Sequence, residues 1–279
     1  MKRFIIEEID KEEAVQFIQK YHYSKILPRL TKHYLGFYNE KGLVGVTTLG
    51  WGTQPKQTIK KILYKDNVDT TDYIEIGKMC FSPFLNNNAQ SGSQILSHLV
   101  KWLKRNTEYN FLYTLADGIM GKCGYVYQAS NFRYIGSFET SVYRDIVTGE
   151  KIHPRSAKQL CIENADFEGK EKVFWLTHHF CEYKGIEKIN GLMFRYIYPL
   201  TKEAEKNIEQ YQDYKGLKNP KDDDLRFRKR VAKGKFQEIR QPDFNMNVFN
   251  HNYQKYDSHQ NVIQGVFNRL NTKIKNTPQ

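Results

Sequence analysis

Two polar side chains occupy positions that are typical of catalytic or binding residues. Asp117 directly follows an apolar run at 110–116 and precedes Gly118, so it lies at the carboxyl end of a predicted strand. Open α/β sheets bind ligands at this edge. Tyr127 lies near the start of the helix that is predicted next. Each residue also has a purely structural interpretation, because Asp-Gly is a common turn pair and a buried tyrosine usually has a satisfied hydroxyl.

A polar bend at 86–93 is the second candidate site. It precedes a helix whose apolar residues, beginning with Ile95, fall on one face. The first backbone N–H groups of a helix have no partner within it, and together with the helix dipole they attract phosphate. The alternative is an ordinary helix cap. The residues of the bend that would bind such a group are Gln90, Ser91, Gly92 and Ser93.

The surrounding pattern predicts strands and helices in alternation. Asp10 and Glu13 form a capping signature ahead of an amphipathic helix, and a turn at 39–42 between two apolar runs indicates a hairpin. A further helix is predicted at 125–133. The predicted strands are 3–6, 34–38, 43–49, 73–81, 110–116, 137–144, 172–176 and 192–198. This order predicts the α/β (or α+β) class, with a mixed central sheet flanked by helices.

The composition changes after Pro199, where aliphatic residues thin out. We therefore expect a catalytic domain at 1–199 and a polar, basic extension, mostly helical or irregular, at 200–279. Seven basic residues and one acidic residue fall within 225–240, which favours contact with phosphates, although a solvated charged helix is the alternative. The candidate nucleic-acid-binding residues are Arg226, Arg228, Lys229, Arg230, Lys233 and Lys235.

Composition narrows the class of protein and its partners. The chain has 279 residues and a formal net charge of +12, a surplus that suggests a polyanionic partner, most simply nucleic acid. No apolar run is long enough to span a membrane, and no signal-peptide core follows the first residues, so no membrane partner is expected. The four cysteines are scattered without a Cys-x-x-Cys pair. This favours a reducing compartment over disulfides or structural zinc, and we expect a cytoplasmic protein.

The order of elements over residues 1–145 resembles the GNAT acyltransferase superfamily. In the segment 88–93, serines stand where the usual pyrophosphate loop of that superfamily has glycines. A closer resemblance is to the Mom-type phage DNA-modification proteins, a divergent GNAT-like group. Four blocks in order carry it: Tyr21-His22-Tyr23-Ser24 with Pro28, then Glu75-Ile76-Gly77-Lys78-Met79, then Ala116-Asp117-Gly118, then Tyr127-Gln128-Ala129-Ser130-Asn131-Phe132-Arg133-Tyr134-Ile135-Gly136.

The resemblance implies an activity and a set of site residues. The activity is transfer of a carbamoylmethyl (acetamido-type) group to the N6 amino group of adenine in double-stranded DNA, which protects phage DNA from host nucleases. The implied cofactor is acetyl-CoA or a related acyl donor, bound by Lys78 and the segment 90–93. Iron has also been linked to the family, and His22 and Tyr23 would be its ligands here. The implied catalytic residues are His22, Tyr23, Asp117 and Tyr127.

The chemistry of this reaction indicates what the site must contain. The adenine amino group is a poor nucleophile, so a base that takes its proton would help, and either Asp117 or His22 could serve. If the donor is a thioester, Tyr127 could assist the departing thiolate. The nucleobase must also leave the duplex, and enzymes stack such a base on aromatic side chains. The candidates, each of which could equally pack in the core, are Tyr21, Tyr23, Tyr34, Trp51 and Tyr125.

Two other functions stay open at this point. One is an ordinary acyltransferase acting on a protein or a small amine, and the other is a non-catalytic nucleic-acid-binding protein with the same fold. The basic segment favours DNA over a small molecule as the substrate. The Tyr-His-Tyr-Ser block, together with Ala-Asp-Gly and the Tyr127 helix, favours an active site over an inert one.

Overall fold

The computed structural model describes residues 4–52, 55–56, 58, 70–83, 85, 89–154, 157–210 and 216–250. In chain order, helices α1 to α6 of this part are Lys11–Tyr21, Ala89–Asn106, Tyr125–Gln128, Lys158–Phe167, His178–Lys184 and Lys202–Gln210. Strands β1 to β10 are Ile5–Glu8, Leu30–Asn39, Gly42–Trp51, Tyr73–Phe81, Phe111–Asp117, Arg133–Asp145, Lys151–Ile152, Ile186–Pro199, Phe227–Ala232 and Lys235–Glu238.

All ten strands belong to one sheet, in the order β1-β2-β3-β4-β5-β8-β6-β7, with β9 and β10 joined at β8. Its neighbouring strands are antiparallel apart from β4 and β5. Strand β5 pairs with β8 at 193–199 and β9 pairs with it at 189–191, whereas β6 follows β8 over 186–197. Because β6 occupies one edge of β8, β5 and β9 share the other. The hairpin β9–β10 therefore continues the sheet where β5 ends at Asp117.

The two faces of the sheet are covered differently. In β5, the side chains of Leu112 and Ala116 belong to the main core, which α2 completes. Successive side chains of a strand point to opposite faces, so Tyr113 faces the other side, where Ala204 and Ile208 of α6 pack against it. Helix α1 covers a separate part of that second side. The surface between α1 and α6 stays open as a cleft.

The structure confirms most of the predicted elements. The first helix, the hairpin of β2 and β3, and the strands predicted at 73–81, 110–116, 137–144 and 192–198 are all present. Strands β6 and β8 are longer than predicted, and together they form the most extensive pairing in the sheet. The mixed sheet flanked by helices is the predicted fold class.

The helix predicted at 125–133 is wrong beyond Gln128. Asn131 adopts a left-handed backbone conformation with φ of 60°, which an asparagine tolerates but a continuing α-helix does not. The N–H group of Phe132 turns back to the carbonyl oxygen of Tyr127 at 3.0 Å, and the chain enters β6 at Arg133. The helical periodicity of the segment therefore produces only one turn.

Two further predictions need correction. Of the bend predicted at 86–93, residues 86–88 lie outside the described part of the chain, and Gln90, Ser91, Gly92 and Ser93 already belong to the start of α2. The segment predicted as a strand at 172–176 has no strand and bends at Phe174 and Trp175. There the N–H group of Leu176 donates to the hydroxyl of Tyr143 at 3.3 Å, so a side chain replaces a neighbouring strand as its partner.

The basic segment 225–240 forms neither a helix nor an irregular tail. It is the hairpin β9–β10, whose turn contains Gly234 with φ of +74°, a conformation that favours glycine. Strand β9 pairs with three residues of β8 on the edge that β5 leaves free. The expectation of a mostly helical or irregular extension is therefore corrected for 227–238, because an unpaired strand edge offers hydrogen bonds that the local sequence does not reveal.

Candidate functional site

A cleft opens where β4 and β5 separate. The two strands pair in parallel only at 73–75 with 111–113, although β4 continues to Phe81 and β5 to Asp117. The cleft has a volume of about 860 Å³. Its walls come from β3, β4, β5, β6 and β8, from the segment after α1, and from the region between β7 and α5. Side chains important below that line it are Tyr23, Glu75, Lys78, Asp117, Lys151, Trp175 and Asn190.

Asp117 lies at the centre of the polar wall of the cleft. Its Oδ2 accepts a hydrogen bond from Nζ of Lys151 at 2.9 Å, and the side chain of Tyr23 lies close enough to interact with the same carboxylate. Burial raises the pKa of Tyr23, and the negative charge of Asp117 raises it further. Tyr23 therefore stays protonated at neutral pH and acts as a hydrogen-bond donor.

His22 lies behind Tyr23, with the two rings stacked at a centroid distance of 4.3 Å. The N–H group of Ser24 is 2.8 Å from Nδ1 of His22. Burial lowers the pKa of His22 to about 2, and the positive charges of nearby lysines, first of all Lys78, lower it further. His22 is therefore neutral at physiological pH, and an imidazole with so low a pKa is a weak base.

Three lysines from distant parts of the sequence surround this pair of rings. Lys78, Lys122 and Lys151 all lie within electrostatic range of His22. The Nζ atom of Lys122 is 3.9 Å from the centroid of the Tyr23 ring, and that of Lys151 is 5.4 Å from it. Such contacts stabilise a cation over an aromatic face. The wall around Asp117 is thus rich in positive charge.

Tyr127 does not belong to this wall. It is buried in the main core, with its ring 5.5 Å from the rings of Phe132 and Tyr196. Burial raises its pKa, and it contributes electrostatically to the raised pKa of Tyr23. The structure therefore brings His22, Tyr23 and Asp117 together and leaves Tyr127 on the core side of them.

The residues proposed to bind the donor fall into two groups. Lys78 lies in the cleft, on the part of β4 that has separated from β5. The segment 90–93 lies at the N-terminal end of α2. A Cβ atom at Gly92 would approach Cγ2 of Val126 to 2.7 Å, so this glycine permits close packing of α2 against α3 whatever else the segment binds.

The basic residues of the hairpin are largely engaged within the protein. Arg228 pairs with Glu139 of β6, and Nζ of Lys229 lies 2.7 Å from Oε2 of Glu187 in β8. Arg230 donates to the carbonyl oxygen of Leu176, and Arg226 donates to that of Asp223. The exposed Lys233 and Lys235 lie at the turn of the hairpin.

The five proposed aromatic candidates have different positions. Tyr23 and Trp51 line the cleft, and the indole N–H of Trp51 is directed to two backbone carbonyl oxygens at 3.0 Å. Tyr21 and Tyr34 pack against the cluster beneath α1. Tyr125 is exposed and donates to Asp222 at 3.0 Å.

Sequence reasoning missed several residues of the cleft. Lys151 follows Asp117 by 34 residues and belongs to a two-residue strand, so no local pattern marks it. Glu75 was part of a recognised block without a role, and its Oε2 accepts from the N–H group of Gly52 at 3.1 Å. Arg195 lies 4.4 Å from the centroid of Phe138. A charged residue within an apolar strand was the available signal for Glu75 and Arg195.

The donor set around His22 and Tyr23 does not fit an iron ion. Within the described ranges, no group of three or more His, Cys, Asp or Glu residues could hold a metal. Tyr23 keeps its proton beside Asp117, and Asp117 already binds the ammonium group of Lys151. Three lysines close to His22 would repel a further cation. We therefore derive no step through iron.

Among the helices of the described residues, none has both the length and the apolar composition of a membrane span.

The order of the elements, the parallel pair that splays apart and the cleft at the splay define a GNAT-like α/β protein. The chain belongs to the Mom protein family, which matches residues 3–220. It is 29% identical over 208 residues to the protein named methylcarbamoylase mom of Escherichia phage Mu, an alignment that covers 74% of this chain and 80% of that protein.

Solved structures of acetyltransferases resemble the chain more remotely. A phosphinothricin acetyltransferase of the GNAT superfamily from Sinorhizobium meliloti, in complex with AcCoA, is 10% identical with a TM-score of 0.37, covering 70% of this chain and 88% of that one. The ribosomal-protein-S18-alanine N-acetyltransferase from Escherichia coli is 8% identical with a TM-score of 0.37, covering 71% and 95%.

Proposed function

We propose that this protein transfers a carbamoylmethyl-type group to the N6 amino group of adenine in double-stranded DNA and so protects phage DNA from host nucleases in the host cytoplasm. The observation that carries the proposal is the contact of Tyr23, Asp117 and Lys151 at the wall of the cleft. These groups meet in a member of the Mom family. The name methylcarbamoylase, which the phage Mu relative carries, supports a transferase.

Asp117 is the better candidate for the base that takes the proton of the amine. A base must reach the proton that it takes, and His22 is not among the side chains that line the cleft. The lysines around His22 also disfavour the imidazolium that would form there. Asp117 has its carboxylate in the cleft, and Lys151 orients it. We assign His22 a supporting role, because its ring stacks on Tyr23 and fixes the direction of that phenol.

Tyr23 is the better placed of the two phenols to assist a departing group. Its hydroxyl reaches the cleft and remains protonated at neutral pH, whereas Tyr127 is packed in the core. A phenol that donates a hydrogen bond lowers the energy of a thiolate or alkoxide as it forms. We therefore propose Tyr23 as this donor and Tyr127 as the packing support behind it.

The donor is proposed to be an acyl-CoA or a related thioester. The widening between β4 and β5 and the start of α2 near the end of β4 support this, because a helix N-terminus binds phosphate and Lys78 adds a positive charge to the cleft. Acetyl-CoA does not contain the nitrogen of a carbamoylmethyl group. The donor must therefore carry that nitrogen, or a later step must add it. Acyl transfer from a thioester joins N6 to a carbonyl carbon and releases the thiolate, whereas a carbamoylmethyl group is joined to N6 through its methylene carbon, so a later step must also rearrange the acyl product.

The basic extension is proposed to hold the DNA. Strand β9 continues the edge of β8 beyond Asp117, so phosphates bound at the hairpin would lie beside the cleft. Since Arg228, Lys229 and Arg230 already have partners within the chain, we assign most of the phosphate contact to Lys233 and Lys235.

Mass spectrometry of nucleosides from cells that express the protein tests the function. We expect a modified deoxyadenosine with the intact chain and none above background with Asp117→Asn. The matched control is Asp166→Asn, at an exposed aspartate of α4, which should modify DNA as the intact chain does. Unmodified DNA with an acylated protein or small amine would instead identify an ordinary acyltransferase, a function that the internal pairing of the hairpin arginines favours.

A further inference from the structure

The segment 172–176, between α4 and α5, presents two large aromatic side chains to solvent. Phe174 is 73% exposed and Trp175 is 68% exposed, yet Trp175 also lines the cleft. Exposed aromatic pairs of this kind often mark interaction sites. The sequence pattern predicts a strand here, and neither residue is among the five aromatic candidates named above.

The backbone beside Trp175 is held in place from two sides. Leu176 is buried, and its N–H group donates to the hydroxyl of Tyr143 in β6. Its carbonyl oxygen accepts from the guanidinium group of Arg230 in β9 at 3.3 Å. The indole is therefore a solvent-facing ring on an anchored backbone, which reduces the entropy lost when a ligand stacks on it.

The inner end of the same region carries a polar group without a partner. Asn190 lines the cleft and is 7% exposed. Its Nδ2 donates to Oε1 of Glu139 at 2.6 Å, and Arg228 pairs with the other oxygen of that carboxylate. The Oδ1 atom of Asn190 is buried without a hydrogen-bond partner. A buried acceptor without a partner is destabilising, and a donor group on a ligand would satisfy it.

Strand β9 connects these two features. Arg228 and Arg230 are two residues apart, so they point to the same side of the strand and lie roughly 7 Å from each other. Arg228 supports the amide of Asn190 through Glu139, and Arg230 holds the segment that carries Trp175. The basic hairpin thus positions both ends of one subsite.

We propose that this subsite receives a nucleobase that has left the duplex, with Trp175 stacked on the base and Oδ1 of Asn190 accepting a hydrogen bond from its exocyclic amino group. This rests on the proposed function and names how that function reaches its substrate. The ring supplies stacking that any base can use, and the amide supplies a preference for a base with an amino group. Lys172, whose Nζ lies 4.9 Å from the Phe174 ring, adds positive charge near the entrance.

The first test measures DNA binding by fluorescence anisotropy and needs no donor molecule. The probes are a fully paired duplex and the same duplex with one mismatched adenine, because a mismatched base leaves the helix more easily. We expect the intact protein to bind the mismatched duplex more tightly. Trp175→Ala should weaken that binding about 10-fold, and Trp175→Phe should restore most of it, while both variants keep the melting temperature of the intact protein.

A matched control is Tyr183→Ala on α5. Tyr183 is 69% exposed, similar to Trp175, and its ring stacks on Phe167 at 5.0 Å rather than lining the cleft. This variant should bind both duplexes as the intact protein does. The subsite would be overturned if the intact protein bound the paired and the mismatched duplex equally tightly and Trp175→Ala did the same. It would also be overturned if the intact protein bound neither duplex.

The second test addresses Asn190 with a duplex in which the mismatched adenine is replaced by purine, which lacks the amino group. The intact protein should bind the adenine duplex about 10-fold more tightly than the purine duplex, and Asn190→Ala should abolish that difference. An unchanged preference in Asn190→Ala would remove this residue from the subsite.

Nucleoside mass spectrometry separates a failure of the subsite from a failure of the proposed function. Modified adenine that is equally abundant with Trp175→Ala and with the intact chain contradicts the subsite alone. No modification by the intact chain contradicts the proposed function.

Discussion

The wall of the cleft and the basic hairpin both contain several cations, but they use them in opposite ways. In the hairpin, Arg228 pairs with a glutamate of β6 and Lys229 with a glutamate of β8. In the cleft, three lysines lie close to His22, and one of them pairs with Asp117. The hairpin therefore uses charge mainly to attach itself to the sheet. The cleft concentrates charge around the groups proposed to react.

A local surplus of basic residues therefore does not identify where positive potential acts. The segment 225–240 is conspicuous in the sequence because its basic residues are adjacent. Lys78, Lys122 and Lys151 are dispersed over more than seventy positions, and only the fold brings them together. Variants of the two regions should therefore differ in kind: changes in the cleft affect chemistry, and changes at the root of the hairpin affect stability.

The largest expected effect is on the chemistry. Asp117→Asn keeps the shape of the side chain but removes the charge that accepts the proton, so DNA modification should fall by about 100-fold or more. Nucleoside mass spectrometry measures the loss, and circular dichroism checks the fold. Modification within about 2-fold of the intact chain would show that the carboxylate of Asp117 is not the base.

A large effect on stability is expected at the root of the hairpin. Glu187 is 8% exposed and joins Arg144 and Lys229, each at 2.7 Å. Removing one partner from such a group leaves charges that lack compensation, and both cations are partly exposed, so Glu187→Gln should lower the free energy of unfolding by about 2 kcal/mol. Urea denaturation measures it. If Glu187→Gln instead lost DNA modification without any loss of stability, the proposed contrast between the cleft and the root of the hairpin would be wrong.

A smaller effect concerns the pH dependence of stability. The pKa of His22 is lowered to about 2 in the folded protein from an ordinary value near 6.5. Below pH 6.5 the unfolded chain binds a proton at this residue and the folded chain does not, so stability falls as the pH falls. From pH 7 to pH 5 the loss from His22 should be about 1–2 kcal/mol.

The substitution His22→Gln isolates this contribution because glutamine does not titrate. Urea denaturation at pH 7 and pH 5 should show a smaller decrease in the variant than in the intact protein. The same decrease in both would mean that His22 is protonated in the folded state, and it would then become a stronger candidate for the base.

Much of the fold follows from periodicity, whereas the site depends on contacts that periodicity does not encode. An apolar run that ends in Asp117-Gly118 predicts a strand and its edge, and the structure has both. The helix predicted at 125–133 ends early because a left-handed Asn131 redirects the chain into β6. The hairpin at 227–238 forms because β8 has a free edge beyond the end of β5, which is a property of the sheet and not of the segment.

The same reasoning explains which site residues could be found. Tyr23 and Asp117 belong to recognisable blocks, and the structure brings their side chains together. Lys151 and Trp175 lie in the region between β6 and β8, where the blocks provide no guidance, and they reach the cleft only through the packing of β7 and of the segment before α5. Tyr127 belongs to a block as well, but its place in the core shows that membership in a motif does not by itself locate a side chain in a cleft.

The smallest expected effect distinguishes the tip of the hairpin from its root. Lys233 and Lys235 are exposed at the turn, so each can contact a phosphate without first leaving a partner in the sheet. The double variant Lys233→Ala with Lys235→Ala should weaken duplex binding several-fold at low salt. Its plot of log affinity against log salt should lose about 0.9 in slope for each phosphate contact removed. Lys229→Ala is the control, because its ammonium group is engaged by Glu187 and its loss should lower stability with little change in that slope. An equal loss of slope in the control would mean that the pairs at the root open when DNA binds, and the two regions would then share one electrostatic role.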